Sequence, residues 1–294
     1  MLNTDPMKYY RILLFLFIPL IAIAGAFSQV KPDKIELISN GSLLNAFFYS
    51  CSGSKPAPVI ILLHGWPGNA DNPLGLAPKI CAGGIHVLVF NFRGTWGSQG
   101  FHTLRNSAED IAVAIRFLKA KENMARFGID TSKIIVAGYS LGGGAAMTAG
   151  LHYPEVDKII SIAGADVSVF IRMLISDPDF RSNFEERTKK GVAEGGFAKI
   201  SGNMTDYVDE LISDIDYFDP VKHAETLKNK KILFIVGWDD LTGRMEDNAL
   251  PLYRKLKGLG ARQVSIVGFP DDHSFNGSRD EVAKAIVGWV KQMK

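Results

Sequence analysis

The sequence predicts an α/β chain, with one mainly parallel central sheet flanked by helices on both faces. Short apolar runs rich in valine and isoleucine recur at residues 59–63, 85–90, 134–136, 158–163, 232–236 and 263–267. Segments with apolar residues at helical spacing separate several of them, at 107–121, 247–259 and 280–293. The first of the inner runs, Val59-Ile60-Ile61-Leu62-Leu63, has no polar alternation, as expected of a strand covered on both faces.

A chain of 294 residues could hold two small domains, but α/β folds of this size often form one. With 47% hydrophobic and 22% charged residues, the composition is that of an ordinary globular protein with an ample core. The formal net charge is +2, and no basic patch is interleaved with aromatics, so no nucleic-acid partner is expected. The six histidines lack the spacing of metal ligands, and no glycine-rich phosphate-binding motif follows a strand. Neither metal nor cofactor is therefore expected.

At the N-terminus, Lys8 and Arg11 precede an apolar run at 12–25 that ends in Ala26-Phe27-Ser28. A positive flank, an apolar stretch and a small-x-small ending predict a signal peptide over residues 1–28, leaving a domain at 29–294. The run is shorter than the roughly 20 residues of a membrane-spanning helix, and Pro19 interrupts it. The expectation is a periplasmic or secreted protein with no stable membrane association after cleavage. Cys51 and Cys81 allow one disulfide at most. Because free cysteine is commonly a small core residue, two separate buried thiols are expected.

The remaining elements follow in order. Residues 34–39 and 43–50 form a hairpin around Asn40-Gly41, a strong turn signal. A polar loop at 52–58 leads into the strand at 59–63, then a helix through Cys81 and a strand at 85–90. The helix at 107–121 carries Ala108, Ile111, Ala112, Ile115 and Leu118 on one face, with Glu109 and Asp110 in its first turn. The strand at 134–136 runs into Gly138-Tyr139-Ser140-Leu141-Gly142 and a helix of small residues. After the strand at 158–163, residues 167–222 are too long for a simple connection. They are charged, with Phe170, Met173, Leu174, Phe180, Phe184 and Phe197 spread through them, and predict an inserted, mostly helical cap. Strand and helix alternation then resumes to the end of the chain.

Open sheets of this kind place chemistry beyond the carboxyl ends of their strands. Four such loops carry apt residues: His64-Gly65-Trp66-Pro67, the serine turn at Ser140, Gly237-Trp238-Asp239-Asp240, and Asp271-Asp272-His273. A serine at the apex of a strand-to-helix turn takes a strained backbone, and Gly138 and Gly142 remove the Cβ atoms that would crowd it.

These motifs resemble those of the α/β-hydrolases, over nearly all of residues 34–294, with serine, acid and histidine in that family's chain order. The resemblance implies an α/β-hydrolase fold with a cap insertion, and a catalytic triad. Ser140 is the nucleophile, His273 the base that takes its proton, and Asp240 the carboxylate that fixes the imidazole tautomer. An imidazole pKa near about 6.5 suits that exchange around neutrality. Asp239 is the nearest rival for the acid and Asp166, after the preceding strand, a more distant one. The resemblance also implies that the N–H groups of Trp66 and Leu141 form the oxyanion hole, with the Trp66 ring bordering a pocket for short acyl groups. His64 is expected to order its loop. His86, His102, His152 and His223 are expected to have surface or structural roles. Many relatives have aspartate at the position of Asn91, so that position supplies Arg93 with no carboxylate partner.

The expected activity is hydrolysis of carboxylic esters, on a small-molecule or oligomeric substrate, through an acyl-enzyme. Leu141 after the nucleophile favours esterases over prolyl-oligopeptidase relatives. An exported serine peptidase on the same fold is the alternative. The acidic run Asp206, Asp209, Glu210, Asp214, Asp216 and Asp219 is either a solvated helix face or a rim that captures a substrate amine. A non-catalytic binding protein is a third possibility, disfavoured by an intact serine, acid and histidine.

Overall fold

The computed structural model describes residues 31–51, 56–71 and 73–293. The expected signal peptide at 1–28 lies outside the described residues. Eight strands, β1 (Asp33–Ser39), β2 (Ser42–Tyr49), β3 (Ala57–Leu63), β4 (His86–Phe90), β5 (Ile129–Tyr139), β6 (Lys158–Ile162), β7 (Lys231–Gly237) and β8 (Val264–Phe269), form one sheet. Their order is β1-β2-β4-β3-β5-β6-β7-β8, with β1, β2 and β4 paired antiparallel and every later pairing parallel.

Ten α-helices complete the described fold: α1 (Leu76–Ala82), α2 (Leu104–Lys119), α3 (Lys121–Phe127), α4 (Leu141–His152), α5 (Val167–Ser176), α6 (Pro178–Gly195), α7 (Met204–Ser213), α8 (Ala224–Leu227), α9 (Ala249–Gly258) and α10 (Arg279–Lys291). Alternation within the strands divides the core. Val59, Ile61 and Leu63 of β3 join α2, α4 and α9 on one face, while Ile60 and Leu62 join α1 and α10 on the other. All five are fully buried, which is why the run shows no polar residue. Among the described residues, no helix is long and apolar enough to cross a membrane.

Between β6 and β7 the chain makes α5, α6 and α7 and a 3₁₀ turn at Ile215–Phe218. Val167, Ile171, Leu174, Tyr207, Val208, Leu211 and Phe218 build a third apolar cluster, which also takes in Leu104 of α2. The segment thus rests on the rest of the fold through α2. It is also stitched there by backbone. Lys199 N–H donates to Gly94 O at 2.6 Å, His102 N–H to Lys199 O at 2.7 Å and Trp96 N–H to Phe197 O at 3.1 Å.

The helix expected at 107–121 begins earlier, because the Thr103 side chain caps it by accepting from Asn106 N–H at 3.0 Å. Asp110 therefore sits in the helix interior and not in its first turn, and it is fully buried. It supplies the carboxylate that Asn91 lacks. Arg93 donates to it from Nη2 at 2.7 Å, Nε at 3.1 Å and the backbone at 2.8 Å, while Ser39 donates at 2.6 Å. Arg93 also reaches Glu109 at 2.9 Å. Asn91 serves both of its amide roles, accepting from Ala70 N–H at 2.7 Å and donating to Trp96 O at 3.0 Å. A carboxylate there could not make the second bond.

The expectation of two separate thiols is overturned. Cys51 follows β2 and Cys81 lies in α1, with Cα atoms 5.2 Å apart, and the two form a disulfide. They meet because α1 packs against the sheet where β2 ends and β4 begins, with Tyr49, Ile80 and Ile85 in the same apolar cluster. The bridge closes a span of 30 residues. The double variant Cys51→Ala/Cys81→Ala is expected to lose about 2–4 kcal/mol of unfolding free energy, mainly through a less constrained unfolded chain. A denaturant titration of both proteins without reductant would measure it, and equal midpoints would show that the bridge constrains nothing that folding must order.

Candidate active site

Ser140 sits between β5 and α4 with φ 54° and ψ −119°, a left-handed backbone rare for a residue with a side chain. The turn is possible because two glycines flank it. A Cβ on Gly138 would lie 2.1 Å from Gly142 O, and one on Gly142 would lie 2.6 Å from His64 O. The reward for this crowding is placement: the hydroxyl stands at the start of α4, beyond the carboxyl edge of the sheet.

The loops after β7 and β8 come together at the same edge. Trp238 N–H donates to Phe269 O at 2.9 Å, and Asp239 N–H to Asp271 O at 3.1 Å. This brings Asp240 and His273 to Ser140. His273 Nε2 lies 3.1 Å from Ser140 Oγ, and its Nδ1 lies 2.8 Å from Asp240 Oδ2. The other oxygen of Asp240 accepts from Thr242 N–H at 2.8 Å and Gly243 N–H at 2.7 Å. Burial alone would raise this carboxyl, but the bond from His273 and the two backbone donors hold it below the ordinary aspartate value. Asp240 is therefore charged at neutral pH, with both oxygens engaged. The tautomer follows from the geometry: Nδ1–H donates to Asp240, leaving Nε2 to accept from Ser140.

The rival acids are elsewhere. Asp239 is exposed. Asp166 caps α5, accepting from Ser168 N–H at 2.9 Å and Ser168 Oγ at 2.6 Å. Burial pushes its carboxyl up, against the pull of those bonds.

Trp66 and Leu141 flank the serine. Leu141 is the first residue of α4, so its N–H is one of those that a helix leaves without an internal partner. The N–H of Ser140 itself is committed to Ile162 O at 2.9 Å. Both residues line a cavity of about 180 Å³ that opens on Ser140 and is walled by Phe170, Phe184, Tyr207 and Leu211 from α5, α6 and α7. No lining residue carries a charge.

Histidines divide by environment. His64 is buried, and its Nδ1 lies 2.7 Å from Gly65 O, which the protonated nitrogen bonds across the turn. Its Nε2 has no partner, and burial pushes the ring down to about 4. His152 and His223 are exposed, and His86 is buried beside the disulfide, where its Nδ1 accepts from Cys51 N–H at 3.0 Å. His102 is the surprise. It is 1% exposed and lies directly under the Trp66 ring, with centroids 4.8 Å apart. Nothing in its sequence context, Gly100-Phe101-His102-Thr103, marks it out.

The acidic run is not a bare anionic rim. Asp209 pairs with Arg181 at 2.8 Å, Asp214 with Arg105 at 2.7 Å, Asp216 with Lys222 at 2.6 Å and Asp219 with Arg172 at 3.1 Å. All four of these cations come from outside the run, which is why the run looks unpaired in sequence. Among the described residues, no cluster of histidine, cysteine, aspartate or glutamate could hold a metal ion.

The family model described as the alpha/beta hydrolase fold matches residues 58–200. With that match, the eight-stranded sheet and the serine turn all agree. The chain has the α/β-hydrolase fold. Solved structures superpose over most of it. An esterase from Pyrobaculum calidifontis does so with a TM-score of 0.65, at 20% identity, covering 90% of this chain and 86% of that one. Est1E from Butyrivibrio proteoclasticus gives a TM-score of 0.63 at 14% identity, covering 88% and 98%. In sequence, the chain is 31% identical over 156 residues to a Haemophilus influenzae protein provisionally named an esterase/lipase. That match covers 51% of this chain and 50% of the relative, so the chain spans about half the length of the curated relatives it matches.

Proposed function

We propose that this protein cleaves carboxylic esters of short, uncharged acyl groups through a Ser140 acyl-enzyme. The observation that carries this is the hydrogen-bonded row from Ser140 through His273 to Asp240, opening into an uncharged cavity of about 180 Å³. Ser140 Oγ attacks the ester carbonyl carbon as its proton passes to His273 Nε2. The resulting oxyanion is met by the N–H groups of Trp66 and Leu141. Collapse breaks the carbon–oxygen bond, and His273 returns the proton to the departing alcohol. Water then repeats the sequence at the acyl-enzyme, releasing the carboxylic acid and restoring Ser140. Asp240 holds the imidazole in the tautomer that both steps need.

In this scheme the β6–β7 segment acts as a cap, since α5, α6 and α7 close the acyl side of the cavity. The esterase names of the Haemophilus and Pyrobaculum proteins agree with it. Ion pairing of Asp209, Asp214, Asp216 and Asp219 disfavours the peptidase alternative, because a substrate amine would have to displace an arginine or lysine to be captured. Export through a signal peptide at 1–28 fits a disulfide-bonded chain, as such bridges persist in oxidising compartments.

Purified protein should hydrolyse p-nitrophenyl acetate and butyrate, with kcat/KM for decanoate lower by about tenfold or more as the chain outgrows the cavity. Aminoacyl p-nitroanilides run in parallel should be turned over far more slowly. Faster cleavage of anilides than of esters would transfer the site to a peptidase, and a flat profile from acetate to decanoate would remove the acyl-size argument.

A further inference from the structure

Trp66 contributes a ring that walls the cavity and, in the mechanism proposed above, an N–H that meets the oxyanion. Within its loop, Pro67 O accepts from Trp96 Nε1 at 2.9 Å. The ring is held from outside its loop. Phe197, from the stretch between α6 and α7, meets it edge-on at 4.9 Å, and His102 lies against its face at 4.8 Å with the planes 34° apart.

His102 is itself held at both nitrogens and at its backbone. Nδ1 lies 3.2 Å from the Tyr207 hydroxyl of α7, and Nε2 lies 3.4 Å from Ser107 Oγ of α2. Its N–H donates to Lys199 O at 2.7 Å. One proton arrangement satisfies the whole row: Tyr207 donates to Nδ1, Nε2–H donates to Ser107, and Ser107 donates to Thr103 O at 3.3 Å. Burial keeps both titratable members of this row neutral. It pushes the Tyr207 hydroxyl up, and burial followed by the neighbouring His64 pushes His102 down to about 3. A neutral ring with every polar atom used, and no path to the reacting atoms, is placed there for its face.

We propose that His102 is a positioning residue: pinned between Tyr207 of the β6–β7 segment and Ser107 of α2, it is the platform that fixes Trp66 and thereby the N–H that meets the oxyanion. This deepens the esterase function proposed above and rests on it. The role is one of placement. A flat ring supports the indole by offset stacking, whereas the two hydrogen bonds hold the platform without touching substrate. A donor displaced by an ångström still binds a ground-state ester yet loses much of its grip on the transition state.

The test compares His102→Ala with His102→Phe, which keeps a flat face but gives up both bonds. Against p-nitrophenyl butyrate, His102→Ala should lose about 10–100-fold in kcat, the range expected for a misplaced catalytic donor, with KM nearly unchanged. His102→Phe should recover most of that kcat while melting at a lower temperature than the parent, since Tyr207 and Ser107 lose their partner. If His102→Ala does not fold, His102→Leu, which fills the space without a flat face, replaces it. Equal kcat losses in the Phe variant and in its aliphatic counterpart, or a loss confined to KM, would overturn the proposal. A second readout does not depend on turnover. In protein labelled with ¹⁵N-tryptophan, the Trp66 amide cross-peak should hold its position in His102→Phe and shift or broaden in the aliphatic variant. An unmoved Trp66 amide in the aliphatic variant would overturn the platform role even if the parent proved inactive on esters, an inactivity that would refute only the function.

Discussion

Replacing Ser140 with alanine is expected to lower ester turnover by about 10⁴-fold or more, leaving only what the N–H donors and binding supply. The variant should fold as the parent does. Alanine removes a single oxygen, whose recorded bond is to His273, and the strained φ of 54° is imposed by the turn and not by the hydroxyl. The checks are kcat for p-nitrophenyl butyrate and the melting temperature, measured side by side. A fluorophosphonate should add covalently to the parent and not to the variant, as intact mass would report. Turnover that survives in pure Ser140→Ala would place the nucleophile elsewhere.

The second large effect belongs to Asp240→Asn, expected to cost about 10³–10⁴-fold in kcat. Asparagine keeps the shape, and because Thr242 and Gly243 N–H hold its oxygen, it presents its N–H to His273 Nδ1. That selects the tautomer whose Nε2 carries the proton and cannot accept from Ser140. Asp239→Asn, at an exposed position, should leave kcat unchanged. Asp166→Asn touches a helix cap, so its cost of about 1 kcal/mol or less falls on stability. A kcat loss in either of these that matched Asp240→Asn would move the acid there. The same carboxylate gives a pH signature. Its folded value lies below the unfolded one, so its contribution to stability is present above the ordinary aspartate range and is lost as pH falls through the lower folded value. The stability gap between parent and Asp240→Asn should therefore be full at neutral pH and close only in strong acid.

What was legible in the sequence follows from what is local. Strand runs such as 59–63 and 232–236 announce themselves, because a strand covered on both faces can carry no polar alternation. The approach of Ser140, Asp240 and His273 was readable for a related reason. In a parallel sheet every strand delivers its following loop to one edge, so residues distant in sequence share an end of the fold. What escaped depends on partners that sequence does not pair. Asp110 reads as a first-turn helix acid until Arg93 arrives from the loop after β4. The acidic run reads as bare until Arg105, Arg172 and Arg181 arrive from other segments. Cys51 and Cys81 look like separate core residues because only the return of α1 against the sheet brings them together. His102 was invisible as a support because a ring face leaves no spacing pattern.

The strip of backbone that joins Phe197–Lys199 to Gly94–Trp96 and His102 has a consequence for how chains of this fold diversify. Because Trp66, the loop after β4 and the β6–β7 segment share one set of contacts, the segment is not an interchangeable part. Grafting a foreign segment between β6 and β7 would break the strip and unseat Trp66, even if every residue around Ser140, Asp240 and His273 were kept. Exchange of specificity in this scaffold has to move two stretches at once, the helical segment and residues 94–102, so the natural unit of inheritance is a pair of sequence-distant pieces that lie side by side in space.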